Sequence, residues 1–166
     1  DQKYTYKGGV CFYGGSAGGL TGSAVANMAP ELFFSMLLLV PFVDTMTTML
    51  NEKLPLTPSE WELWGNPIKN KEYFEYILSY SPYNNLDNKN YPSMLITTSI
   101  FDNRVLYSEP VKYIAKLREV KNDNSTQLLK CKMKAAGHGG MSGRDNAIIE
   151  LSEEYSFILK TGKISD

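Results

Sequence analysis

The chain is poor in most of what would place a protein by composition alone. Among 166 residues there are one histidine, two cysteines and two tryptophans, and 17 basic side chains against 18 acidic ones leave a formal charge of −1. So even a balance provides no broad positive field for nucleic acid or an anionic membrane surface. Cys11 lies in a strand-like run and Cys131 in a late apolar segment, where both read as buried free thiols. That usage favours a reducing compartment and a cytoplasmic location. The longest apolar stretch, Leu32 to Val43, is broken by Ser35 and Pro41 and is too short to span a bilayer. Asp1-Gln2-Lys3-Tyr4 lacks the apolar core of a secretory signal, and no internal repeat or low-complexity tract is visible. The expectation is one soluble domain able to bury roughly two thirds of its unfolded surface. Because the first strand comes so soon after residue 1, the chain also reads as a piece of something larger.

Glycine, in contrast, is concentrated where it matters. The stretch Gly8-Gly9-Val10-Cys11-Phe12-Tyr13-Gly14-Gly15-Ser16-Ala17-Gly18-Gly19-Leu20 runs from a β-branched and aromatic segment, through glycines, into a helix-like segment rich in Ala, Leu and Met. Strand, sharp turn, helix is the setting of the G-x-S-x-G nucleophile elbow. There the serine takes a strained backbone conformation, and a Cβ two positions to either side is expected to strike the neighbouring strand or the helix. Ser16 would then stand above the carboxyl edge of a sheet, with the Ala17 amide available to an oxyanion. The plainer alternative is an ordinary glycine-rich turn between strand and helix.

Further along, Ala17 to Met28 reads as a helix with Ala24, Val25 and Met28 toward the core and Pro30 closing it. Phe33 to Val40 reads as a parallel strand buried on both faces. A polar excursion from Thr45 to Tyr91 contains Thr57-Pro58-Ser59-Glu60, which spells a capping box with Thr57 as N-cap, and a helix over Glu72 to Tyr80. Met94 to Ser99 reads as a third strand. A helix opened by Pro110 follows, then a fourth strand over Gln127 to Met133. Ala147 to Leu159 forms a terminal helix with Ile148, Leu151, Tyr155, Ile158 and Leu159 on one side. Strands alternating with helices predict an α/β fold built on a parallel sheet.

In such sheets chemistry gathers at the carboxyl ends of the strands. Those ends bear Ser16, Asp102 and His138 in turn, which is the chain order of an α/β-hydrolase triad. His138 is the sole histidine and lies between glycines in Ala136-Gly137-His138-Gly139-Gly140. An imidazole can take the serine proton near neutral pH, and a carboxylate can hold its tautomer and favour the imidazolium. A backbone-bound loop histidine and a turn aspartate are the plain alternatives. Glu60 and Glu62 flank Trp61 and could bind a guanidinium or ammonium group, although a capping box and a solvated helix face suit the pattern alone better. Arg104 reads equally as a surface residue or as a donor to a substrate carbonyl.

Longer motifs narrow the choice. Pro-Phe-Val-Asp at 41 to 44, Thr-Thr-Met-Leu at 47 to 50, Leu-Pro-Leu-Thr at 54 to 57 and Trp-Gly-Asn-Pro at 64 to 67 stand with the elbow. Tyr-Ser-Pro-Tyr at 80 to 83, Ala-Lys-Leu-Arg-Glu at 115 to 119 and Gly-His-Gly-Gly-Met-Ser-Gly-Arg at 137 to 144 complete the set. From about Gly9 to Leu159 the chain resembles the carboxyl-terminal part of the catalytic domain in the prolyl oligopeptidase family of serine peptidases, in its branch that cleaves after basic residues. The resemblance implies the C-terminal portion of an α/β-hydrolase fold, a mainly parallel sheet flanked by helices. It implies nucleophile, acid and base at Ser16, Asp102 and His138, and an oxyanion donor at the Ala17 amide. It implies recognition of Arg or Lys by Glu60 and Glu62 and a substrate-backbone contact at Arg104, while Arg144 matches a motif position with no role assigned. No metal or cofactor is implied, and short basic peptides are the implied partners, without nucleic acid or membrane. Two departures stand out. Ser99-Ile100-Phe101 replaces the run, Gly-Leu-His or similar, common before the acid, and residues 1 to 166 would lack the family's amino-terminal β-propeller and early hydrolase strands, one of which supplies an oxyanion tyrosine. Two other readings stay open: a silent fragment that self-associates, or pairs with the missing amino-terminal part, through an exposed sheet edge, and a small-molecule esterase on the same fold.

Overall fold

The computed structural model describes residues 3–134 and 136–163. Four strands, β1 (Val10–Gly15), β2 (Phe33–Leu39), β3 (Ser93–Ser99) and β4 (Gln127–Lys132), form one parallel sheet in the order β1-β2-β3-β4. The connections carry α1 (Ala17–Met28), α2 (Thr45–Met49), α3 (Thr57–Trp64), α4 (Lys71–Tyr80) and α5 (Ser108–Val120), and α6 (Arg144–Gly162) follows β4. The α/β expectation holds, and the excursion between β2 and β3 is more helical than its polarity implies.

Alternation along the central strands sorts the core into two layers. Met36 and Leu38 of β2, with Met94 and Ile96 of β3, pack against Ala26 of α1 and Tyr113, Ile114 and Leu117 of α5. The intervening Leu37 and Leu95 point to the opposite face, where Phe157 of α6 covers them. Residues that successively face both layers explain why β2 and β3 read as continuous apolar runs. Each such side chain removed from water contributes about 1.5–3 kcal/mol.

Four expectations are corrected. Met28 ends α1 in solvent at 67% exposure rather than in the core. Thr57 is not an N-cap: Leu56 holds that position, and the Thr57 hydroxyl donates to the Thr48 carbonyl at 3.0 Å, binding α3 to α2 instead of closing its own first turn. Cys11 and Cys131 are free, as expected, but half-buried. On α6 the apolar residues expected on one side divide, with Ile148, Leu151, Tyr155 and Leu159 exposed and Ile158 packed inward. The side that meets the sheet carries Glu154 and Phe157 beside Ile158. A 3.6-residue period shows that a helix has an apolar stripe, but the body that covers the stripe is set by the rest of the fold.

Candidate active site

Ser16 joins β1 to α1 at φ 54°, ψ −121°, a conformation L-residues rarely adopt, with a cost of about 1–3 kcal/mol that surrounding bonds must hold down. Three bonds do so: Ser16 N–H donates to the Leu39 carbonyl (2.9 Å), and the Ser16 carbonyl accepts from the amides of Leu20 and Phe42 (3.1 Å each). Of the two glycines two positions from Ser16, only Gly14 is crowded. A Cβ at Gly14 would come within 2.8 Å of the Gly18 carbonyl oxygen, whereas one at Gly18 would meet open space. In α1 the crowded position is Gly19, where a Cβ would lie 2.6 Å from Pro41 Cα. The Ser16 hydroxyl makes no cap bond to α1. The Ala17 amide, at the first helical position, has no partner within the helix.

Asp102 and His138 meet at the same sheet edge, with Asp102 Oδ2 2.8 Å from His138 Nδ1. The carboxylate side chain is fully buried, and the imidazole is 17% exposed. The other oxygen, Oδ1, accepts the amides of Arg104 (2.9 Å) and Val105 (3.0 Å), which fixes the plane of the carboxylate. The unusual Ser99 has a structural place: its hydroxyl donates to the Ala136 carbonyl and accepts the Phe101 amide, tying the aspartate loop to the histidine loop. Beneath the histidine loop, Lys132 at the end of β4 pairs with Glu150 of α6 at 2.5 Å. Glu150 also accepts the Met141 amide at 3.4 Å.

Two cavities meet at Ser16. One, of about 320 Å³, is shared by Ser16 and His138 and floored by Lys132, Glu150 and Glu154. At its edge burial and the Glu154 carboxylate, which accepts the Tyr13 hydroxyl at 3.0 Å, push the Tyr13 phenol up to about 12. The other, of about 110 Å³, is lined by Ser16, Ala17, Phe42, Glu60, Trp64 and Arg104 among others. Phe42 and Trp64 form its aromatic wall, edge to face at 6.0 Å, and Trp64 Nε1 donates to Glu60 Oε2 at 2.7 Å. Ser16, Ala17, Glu60 and Arg104 thus converge on one chamber. Glu62 does not line it and stands on the exposed side of α3, and Arg144 begins α6 in solvent. Phe42, Thr48 and Met49 also line the chamber. The Pro-Phe-Val-Asp and Thr-Thr-Met-Leu motifs flagged that region without indicating a role. Among the described residues no group of three or more His, Cys, Asp or Glu side chains is placed to hold a metal ion, and no helix is long and apolar enough to cross a membrane.

A parallel sheet with a strained serine elbow after β1, an acid after β3 and a histidine after β4 has the architecture of an α/β-hydrolase domain. The chain belongs to the prolyl oligopeptidase family, whose profile matches residues 1–164. It is 54% identical over 159 residues to Protease 2 of Moraxella lacunata, covering 96% of this chain and 23% of that protein. Its identity to dipeptidyl aminopeptidase BI of Pseudoxanthomonas mexicana is 48%, covering 95% and 22%. Among solved structures, oligopeptidase B from Leishmania major superposes with a TM-score of 0.93 at 43% identity over 97% of this chain and 22% of that one. Oligopeptidase B from Trypanosoma brucei with covalently bound antipain gives 0.93 at 42%, over 98% and 22%. The chain therefore resembles oligopeptidase B and spans less than a quarter of the relatives it matches, in their carboxyl-terminal part.

Proposed function

We propose that the chain carries the catalytic centre of a serine oligopeptidase that cleaves short peptides after Arg or Lys. The observation that carries this reading is the 2.8 Å bond from His138 Nδ1 to the buried Asp102 carboxylate, with Ser16 on the same cavity as the imidazole. In the reaction Ser16 Oγ attacks the scissile carbonyl carbon while its proton passes to His138 Nε2. Asp102 keeps the ring in the tautomer whose Nε2 can accept that proton. The carbonyl oxygen becomes an oxyanion that accepts the Ala17 amide. His138 then protonates the departing amine, leaving an acyl-enzyme on Ser16, and the same groups activate the water that releases the acid.

Glu60 supplies the negative charge inside the chamber, beside an aromatic wall on which a guanidinium stacks. Glu62 adds a second carboxylate two residues on, at the surface, and Arg104 donates to a substrate carbonyl. Free half-buried thiols fit a cytoplasmic setting. The test compares hydrolysis of arginyl, prolyl and short acyl ester substrates. The arginyl substrate is cleaved best, and Glu60→Gln lowers kcat/KM for it about tenfold or more while changing ester turnover far less. Ester turnover without arginyl cleavage, indifferent to Glu60, would identify an esterase instead.

A second reading rests on a different observation. β1 stands at an open edge of the sheet, and α6 turns Ile148, Ile149, Leu151, Tyr155 and Leu159 to solvent. Unpaired edges and apolar faces of this kind drive association, so the chain pairs through them with itself or with an amino-terminal segment. Static light scattering of the 166-residue chain distinguishes the cases: a dimer mass supports self-association, and a monomer at all concentrations rejects it.

A further inference from the structure

Glu109, near the start of α5, is 3% exposed and lines neither cavity at Ser16. Its two oxygens are both engaged across the fold: Oε2 accepts the Asp44 amide at 2.9 Å, and Oε1 accepts the Thr48 hydroxyl at 2.6 Å. These donors belong to the short helix α2 and its N-cap. That helix is the shelf on which α3 hangs. The Thr48 carbonyl accepts the Thr57 hydroxyl, and the Met49 carbonyl accepts Trp61 Nε1 at 3.0 Å. At its other end Glu109 follows the loop of Asp102, Arg104 and Val105, and its own amide donates to Leu106 at 2.9 Å.

The chamber beside Ser16 therefore has two walls that are far apart in sequence. One comprises Thr48, Met49, Glu60 and Trp64, and the other Arg104 and Val105. A single buried carboxylate joins the elements that carry them. We propose that Glu109 is a positioning residue which, when ionised, sets the spacing between the Glu60 wall and the Arg104 wall and so the fit of a basic substrate side chain. The proposal rests on the peptidase reading given above.

Proton chemistry supports a clamp that depends on charge. As a carboxylate Glu109 accepts from both donors. Protonated on Oε1, it donates to the Thr48 hydroxyl oxygen while Oε2 still accepts the Asp44 amide, so the bridge stays in place but both bonds lose their charge assistance and roughly half their strength. Burial pushes the Glu109 carboxyl up to about 7, opposed by the Thr48 and Asp44 bonds. The charged groups around it are Asp44, whose negative charge pushes in the same direction as burial, and Lys112, which pairs with Asp44 and lies 4.7 Å from the Tyr83 ring. The clamp thus tightens as pH rises through neutrality.

The two tryptophans of the chain, Trp61 and Trp64, both lie on α3, so emission reads its seating directly. The experiment follows tryptophan emission of the full chain across pH, for wild type, Glu109→Gln and Thr48→Val, alongside the pH dependence of KM and kcat for an arginyl substrate. Wild type is expected to show an emission step centred near pH 7 that Glu109→Gln abolishes and Thr48→Val, which removes a bond favouring the carboxylate, shifts to higher pH. KM for the arginyl substrate falls across the same step, and Glu109→Gln raises KM several-fold more than it lowers kcat. An emission step that survives in Glu109→Gln, or none in wild type, overturns the proposal whether or not the chain hydrolyses peptides. Intact emission behaviour with no hydrolysis would instead count against the peptidase reading alone.

Discussion

Replacing Asp102 by Asn changes one oxygen for a nitrogen, and the surroundings decide where that nitrogen goes. Oδ1 accepts two backbone amides, at 2.9 and 3.0 Å, so the carboxamide oxygen must stay there. The NH2 group is then forced toward His138 Nδ1, 2.8 Å from the position of Oδ2. Two hydrogens cannot share that gap, so the imidazole gives up its Nδ1 proton and carries it at Nε2. In that tautomer it has no lone pair to offer Ser16. The expected loss is on the order of 10⁴-fold in kcat, the cost known for a triad histidine in the wrong tautomer, or roughly 5–6 kcal/mol of barrier. Because both backbone amides keep their acceptor, the fold should lose only about 1 kcal/mol. Initial rates on an arginyl fluorogenic peptide, with a thermal melt of the same sample, test both halves. A variant retaining a tenth or more of wild-type kcat would refute the tautomer reasoning, and one that failed to fold would refute the placement of the two amide bonds.

Two further expectations concern stability. Gly19→Ala drives a Cβ to 2.6 Å from Pro41 Cα, which should cost about 1–3 kcal/mol, whereas Gly18→Ala enters open space in α1 and should gain up to about 1 kcal/mol from helix propensity. Urea titration of the pair measures the contrast. Glu109 has a folded carboxyl raised from 4.5 to about 7, so the native state holds more protons than the unfolded chain between those values. Its contribution is complete below pH 4.5 and is lost as pH rises through about 7, by at most on the order of 3 kcal/mol. Glu109→Gln should flatten that slope in a series of melts, and an unchanged slope would assign the pH dependence to other groups.

Much of this centre was legible before any coordinates. The strain at Ser16 was implied by glycines before and after it, and α1 begins and ends at the residues its Ala-rich pattern marks, Ala17 and Met28. The order of Ser16, Asp102 and His138 followed from which loops close strands, because a parallel sheet gathers those ends on one edge. What stayed hidden depends on long-range partners. Thr57 carries every local sign of a cap, yet its hydroxyl finds a stronger use on Thr48. Gly18 and Gly19 look alike in sequence, and only Pro41, 22 residues beyond Gly19, distinguishes them. The stripe of α6 is equally apolar whether a sheet or another body covers it. Glu109 gives no local signal, since an acid in the first turn of a helix is ordinary and its partner Thr48 on α2 lies 61 residues earlier.

Whether His138 activates the hydroxyl of Ser16 as a nucleophile is read out by treating the chain with a fluorophosphonate and mapping the adduct by peptide mass spectrometry. The expected result is a single adduct on the peptide containing Ser16, lost in Ser16→Ala and slowed about a hundredfold or more in His138→Ala. A chain that folds yet takes no label, or takes it at another serine, would contradict it.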